Sequence, residues 1–327
     1  MSVLHPQVVA LLERAAKSPL PPYYEVPPAV ARRFYRDVRG ALTPDPPAVE
    51  SVQLLIAPGP AGLSGGPASG PVPVRAYRPK GAGRDEVLPA LVYFHGGGWV
   101  IGDLDTHDVV CRTLANGARC AVFSVEYRKA PESPFPAAVD DCFAALKYVL
   151  ENGKNLKIDP SKVAVGGDSA GGNLATVVAL LARDAGGPSL SFQLLIYPGV
   201  DNRMGHASIE TNGEGYLLTK QSMLYFRGHY LPNPADWHDW RASPLLAKSL
   251  AGLPPAFVMT AGFDPLRDEG RAYSERLQRE GVPTQYREYA DMVHGFITMG
   301  RALDTANTAL EDCAQALQRA WQARGAD

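Results

Sequence analysis

Gly167-Asp168-Ser169-Ala170-Gly171 decides the reading of this chain. It places a serine in the middle of a GxSxG pattern, between an apolar run (Lys162-Val163-Ala164-Val165) and a helical stretch from Asn173 to Leu181. That order predicts strand, sharp turn, helix. A serine on such a turn stands clear of both flanking elements with its hydroxyl exposed at the edge of a sheet. Glycines are needed on either side because side chains in so tight a turn would collide. Gly, Ser and Ala are common residues, however, and the pattern alone also fits an ordinary turn.

A second motif lies upstream, Leu91-Val92-Tyr93-Phe94-His95-Gly96-Gly97-Gly98-Trp99. Again an apolar strand runs into glycines, whose uncovered N–H groups can grip an anion, as oxyanion-hole loops do. Downstream, Phe257-Val258-Met259-Thr260-Ala261 reads as a strand ending at Gly262-Phe263-Asp264-Pro265-Leu266-Arg267-Asp268. A last strand, Gln285-Tyr286-Arg287-Glu288-Tyr289, precedes Asp291-Met292-Val293-His294-Gly295-Phe296. Ser169, Asp264 and His294 therefore follow in the order nucleophile, acid, base, which is the order of an α/β-hydrolase. The acid and the base each sit just past the C-terminal end of a predicted strand, the edge where open α/β sheets collect their chemistry.

On these segments, together with Glu126-Tyr127-Arg128-Lys129-Ala130-Pro131-Glu132 and Gly171-Gly172-Asn173, the chain resembles bacterial carboxylesterases of the hormone-sensitive-lipase-like α/β-hydrolase family. The matching pieces run from about residue 90 to 300; the first part of the chain matches only loosely. Lys129 stands where the family usually has leucine, and is expected to alter a surface contact without touching the chemistry.

The resemblance implies a serine carboxylesterase for short- to medium-chain acyl esters, with an acyl-enzyme on Ser169. A serine hydroxyl needs an adjacent base. His294 would be that base, since imidazole titrates near the working pH. Asp264 would accept a hydrogen bond from the other ring nitrogen. Asp264-Pro265 is also a common helix start, and Asp268 is the alternative acid; the family pattern carries the preference for Asp264. The oxyanion donors would be the N–H groups of Gly96, Gly97 and Ala170. His95 is expected to brace that loop. Asp168 and Glu126 read as structural carboxylates bonding backbone or Arg128. Trp99 and Tyr197 are candidates for the pocket wall, with plain core packing as the alternative. His107 follows the loop in a helical stretch; His206, His229 and His238 fall in a later insertion, and His5 lies near the N-terminus. A lipase or amidase would use the same triad, and a small-molecule receptor could share the scaffold after losing the base.

Along the chain, strand candidates (90–94, 121–125, 163–166, 192–197, 256–260, 284–289) alternate with helices near 105–118, 136–151, 170–183, 267–280 and 304–323. This predicts an α/β-hydrolase fold, a mainly parallel sheet flanked by helices. A strand pair at 52–56 and 72–77 precedes it, joined by a Gly/Pro-rich loop (58–71) expected to be mobile. Residues 201–245 carry Tyr216, Tyr225, Phe226, Tyr230, Trp237 and Trp240, and are too long for an ordinary connection. They are expected to fold with residues 1–45 into a helical cap, over a catalytic domain of residues 46–200 and 246–327.

The 327 residues are 46% hydrophobic and carry a net charge of −2 without charge runs, which points away from nucleic acid or an anionic membrane as partner. A small-molecule ester is the expected partner, and the resemblance admits a homodimer. Cys111, Cys120, Cys142 and Cys313 form no CxxC pair and read as buried free thiols of a reducing cytosol. The N-terminus lacks a basic start followed by an apolar core, so no signal peptide is expected and a cytoplasmic location is. HExxH, GxxxxGK[ST] and GxGxxG are absent, so neither a metal, a nucleotide nor any other cofactor is expected.

Overall fold

The computed structural model describes residues 3–60, 70–187 and 189–323. Two helices, α1 (Pro6–Ala16) and α2 (Pro28–Leu42), lead the chain. Both have proline in the first turn, where its missing N–H costs nothing. Next come β1 (Ser51–Ala57), β2 (Val72–Arg78), β3 (Leu88–Phe94), α3 (Asp108–Ala118), β4 (Ala121–Val125), α4 (Ala137–Glu151) and α5 (Gly153–Leu156). Then follow β5 (Ile158–Asp168), α6 (Ala170–Asp184), β6 (Phe192–Ile196), α7 (Ala207–Thr211) and α8 (Lys220–Tyr230). The chain closes with β7 (Ala256–Phe263), α9 (Arg267–Arg279), β8 (Thr284–Val293) and α10 (Asp304–Ala323).

The eight strands form one sheet in the order β1-β2-β4-β3-β5-β6-β7-β8. β1 and β2 are antiparallel, and from β4 to β8 every pairing is parallel. The continuous apolar runs of β3, β4 and β6 are what a strand covered by helices on both faces requires. One core layer packs Val92, Phe123, Val165 and Leu195 against α4 and α6. The other packs Leu91, Val122, Ala164 and Leu194 against α3 and α10. The Leu303, Leu310, Cys313, Leu317, Trp321 stripe of the last helix lies in this second layer. The four cysteines are buried and unpaired.

Several boundaries differ from the sequence reading; β7 and β8, for example, run on to Phe263 and Val293. The helix near 105 begins at Asp108, because Asp103 Oδ1 accepts the N–H groups of Asp105 (3.1 Å) and Thr106 (2.9 Å) and holds a turn there. β5 starts five residues early, because Ile158 pairs with Leu88 ahead of a register irregularity. The loop expected to be mobile lies mostly outside the described residues. No helix among them is long and apolar enough to cross a membrane.

Candidate active site

The turn after β5 is built as the glycines demand. Ser169 itself sits at φ 55°, ψ −117°, a region non-glycine residues rarely occupy and one associated with functional sites. A Cβ on Gly171 would lie 1.9 Å from the Phe94 carbonyl oxygen, and one on Gly167 2.4 Å from the same atom. The close approach of β3 to the turn thus requires both glycines.

Three strand ends bring the predicted trio together. His294, one residue beyond β8, places Nε2 2.8 Å from Ser169 Oγ. Its Nδ1 lies 2.7 Å from Asp264 Oδ2, just beyond β7. With Nδ1–H donated to the carboxylate, Nε2 is the acceptor for the serine hydroxyl. Asp264 is fully buried and its Oδ1 accepts the Leu266 N–H (2.8 Å) in the turn leading into α9; the cap position of that helix is Leu266, so Asp264 is not the capping residue. Asp268 lies apart from the ring: it pairs with Arg267 and accepts the Ser208 N–H.

The glycine loop differs from expectation at one position. Gly96 N–H is not free; it donates to Asp168 Oδ1 at 2.9 Å. The N–H groups of Gly97, Gly98 and Ala170 instead find no acceptor among the described residues. Gly97 and Gly98 have φ of 127° and 57°, and a Cβ on Gly97 would meet the Ile101 carbonyl at 2.1 Å. Gly97, Gly98, Ser169, Ala170 and His294 line one cavity of about 920 Å³, within the range of small-molecule sites.

Beneath the loop, Asp168 gathers Tyr93 Oη–H (2.8 Å), Gly96 N–H and His107 Nε2 (3.2 Å to Oδ1). Burial opposes its charge, but His107, Tyr93 and Gly96 outweigh that and hold the carboxyl down at about 2. His95 is fully buried, stacked on Tyr127 (4.3 Å), and donates Nδ1–H to Gly96 O at 2.8 Å. Burial and the Lys129 charge push its pKa down to about 3, so it braces the loop as a neutral ring.

Several side chains depart from the sequence reading. Asp168 and Glu126 bond backbone, as one of the two expectations had it, while Arg128 grips Asp141 (2.8 Å). Glu126 accepts the Leu104 N–H (3.0 Å) and pairs with Lys129. Lys129 is therefore no surface contact; its side chain is 16% exposed and spans to Glu126. Trp99 lines the cavity, stacked on Tyr230 at 4.4 Å. Tyr197 does not; it is fully buried behind His294, whose ring covers it at 4.7 Å.

His107, Tyr93, Glu269 and Arg39 escaped sequence reasoning as site residues. Only Tyr93 left a signal, being two residues before the histidine of the glycine loop and on the same strand face. Glu269, beside Asp268 in a charged helical turn, is 1% exposed and accepts the N–H groups of Val200 (2.6 Å) and Asp201 (3.1 Å). Burial raises its pKa well above the usual carboxylate range, against the two backbone N–H groups, which favour the charged form. Among the described residues, no group of three His, Cys, Asp or Glu is placed to hold a metal ion.

Residues 91–298 match the family described as alpha/beta hydrolase fold. The chain belongs to that family. It is 45% identical over 276 residues to carboxylic ester hydrolase LipN of Mycobacterium tuberculosis, covering 83% of this chain and 70% of that one. Carboxylesterase NlhH of the same organism is 45% identical over 256 residues, 77% of this chain and 79% of its own. Among solved structures, the ester hydrolase EH1AB1 from the metagenome of Lake Arreo superposes with a TM-score of 0.92 at 42% identity, covering 98% of this chain and all of that one. With such relatives, this α/β-hydrolase is a carboxylic ester hydrolase of the serine type.

Proposed function

We propose that Ser169, His294 and Asp264 carry out the hydrolysis of short- to medium-chain acyl esters through an acyl-enzyme. His294 Nε2 takes the Ser169 proton as Oγ attacks the ester carbonyl. Asp264 accepts Nδ1–H and stabilises the imidazolium formed. The oxygen that becomes negative receives the N–H groups of Gly97, Gly98 and Ala170, which have no other partner. Collapse of the tetrahedral species expels the alcohol, protonated by His294. Water, activated by the same ring, then attacks the acyl group and frees Ser169. The observation that carries this reading is the unbroken relay of 2.8 and 2.7 Å opening into a walled cavity.

Residues 1–45 and 201–245 act in this proposal as a cap over a catalytic domain of 46–200 and 246–327. The support is that both segments contribute walls to the cavity holding Ser169, through Tyr35 and Leu42 on one side and Leu218 and Phe226 on the other. They also meet each other: Tyr225 Oη–H donates to Val26 O at 3.1 Å, and the Tyr23 and Phe226 rings lie 6.3 Å apart. The test is Ser169→Ala on an acyl-length series of p-nitrophenyl esters. The parent should favour short to medium chains, and the variant should lose turnover by about 10⁴-fold or more. Retained activity in the variant, or a preference for chains beyond about ten carbons, would defeat the proposal.

A further inference from the structure

The cavity contains a cation that no acid offsets. Arg39, in the last turn of α2, projects into it over the Tyr35 ring (4.9 Å) and donates from Nη1 to Gly295 O at 3.3 Å. Gly295 is the neighbour of His294, and a Cβ there would lie 2.8 Å from Arg39 Nη2. The guanidinium therefore touches the backbone that carries the proposed base. Its Nε is buried without a partner, the guanidinium also hydrogen-bonds the Tyr35 hydroxyl, and among the described residues no carboxylate forms an ion pair with it. Tyr35 gives no negative charge either, since burial pushes its hydroxyl up to about 12.

The acids lining the same cavity are already engaged. Asp168 is taken up by His107, Tyr93 and Gly96. Asp201 pairs with Arg203 (2.7 Å) and His206 (3.3 Å). Glu269 is buried and taken up by the Val200 and Asp201 N–H groups. Arg227, on the far wall, donates to Asn202 O and lies over Trp237, while Arg14 and Lys17 stand exposed among the lining residues. The remaining walls are mainly apolar, including Leu217, Met223, Phe226 and Leu266, with Asn202, Thr219 and Ser222 among the neutral polar groups. A half-buried guanidinium facing an apolar space is costly unless something anionic completes it. Its planar fork matches a carboxylate in two-point geometry.

We propose that Arg39 selects esters that carry a carboxylate, pairing its guanidinium with the substrate's free acid group while Ser169 attacks the ester carbonyl. This rests on the ester-hydrolase reading above.

The test compares matched pairs at neutral pH in which a carboxylate replaces an isopropyl group of the same shape. Ethyl hydrogen succinate against ethyl isohexanoate places the charge on the acyl side. Acetoxyacetate against isobutyl acetate places it on the alcohol side. In the parent enzyme, at least one anionic member should be turned over with kcat/KM no lower than that of its neutral partner. Arg39→Met should lower that anionic-to-neutral ratio about 10- to 100-fold, chiefly through KM, as expected for one lost charge-assisted pair. Arg39→Lys should fall between, keeping the charge but losing the fork. The pair whose ratio moves identifies the side of the ester that Arg39 reads. A residue that merely steadied the His294 loop would lower kcat for all four esters alike. An unchanged ratio in both variants would overturn the proposal. So would a parent enzyme that hydrolyses both anionic esters at less than about a hundredth of the neutral rate, a result that does not depend on either variant folding. Failure to turn over any of the four would instead refute the ester-hydrolase reading itself.

Discussion

Asp168→Asn tests the electrostatic support under the glycine loop. The side chain is fully buried, yet its carboxyl lies at about 2 against an ordinary 3.8. At 1.36 kcal/mol per unit, that shift is worth roughly 2 kcal/mol of stability at neutral pH. The folded-state value is depressed, so the contribution is present in full above the unfolded value and is lost as pH falls through the folded one. Asparagine keeps the shape and can still accept from Tyr93 and Gly96 with Oδ1. It forfeits the charge, however, and its Nδ2 would confront His107 Nε2, which lies 3.3 Å from Asp168 Oδ2. Urea unfolding at pH 7 should therefore show a loss of about 2 kcal/mol, shrinking to roughly half that by pH 3. Turnover should also fall, because Gly96 is anchored to this carboxylate immediately before the proposed oxyanion donors. A variant as stable as the parent at pH 7, or a deficit that stays constant or grows toward pH 3, would refute the reasoning.

Asp264→Asn should reduce kcat by about 10³–10⁴ while leaving KM within a few-fold, since the amide cannot hold the His294 tautomer that accepts the serine proton; steady-state kinetics on a short p-nitrophenyl ester measure this, and a loss under tenfold would count against the assignment. Glu269→Gln should behave in the opposite sense to the Asp168 change. The Glu269 pKa is raised, so whatever stability it contributes is present below the unfolded value and declines as pH rises. Glutamine can still accept the Val200 and Asp201 N–H groups and removes that decline. Its stability relative to the parent should climb between pH 5 and 8 in urea unfolding, and a flat difference would contradict a raised Glu269 pKa.

How far the letters sufficed depends on whether a feature is local. The central strands were legible because parallel strands buried on both faces read as apolar runs, as in Leu91-Val92-Tyr93-Phe94, whereas β1 and β8 are partly exposed edge strands. Ser169 was legible because the turn it occupies leaves no room for a side chain at positions 167 and 171. Asp264 and His294 were legible only as positions past strand ends; nothing in 125 residues of intervening chain specifies a 2.8 Å contact. The expected Gly96 donor failed because the loop's direction depends on Asp168, seventy-two residues away, which claims that N–H. Lys129 was misread because a lysine is ordinarily exposed, and only the fold sets Glu126 beside it. Tyr197 was misplaced for the converse reason: aromatic residues at a strand end can face a pocket or the core, and here the His294 ring covers it. Arg39 and Glu269 lie in ordinary helical sequence, where burial of a charged group leaves no mark.

The most direct measurement is covalent. Treated with a phosphonate ester, the enzyme should lose activity with one equivalent bound. Peptide mass spectrometry should place the adduct on Ser169, and Ser169→Ala should take up none. An adduct on any other residue, or undiminished labelling of that variant, would contradict the account.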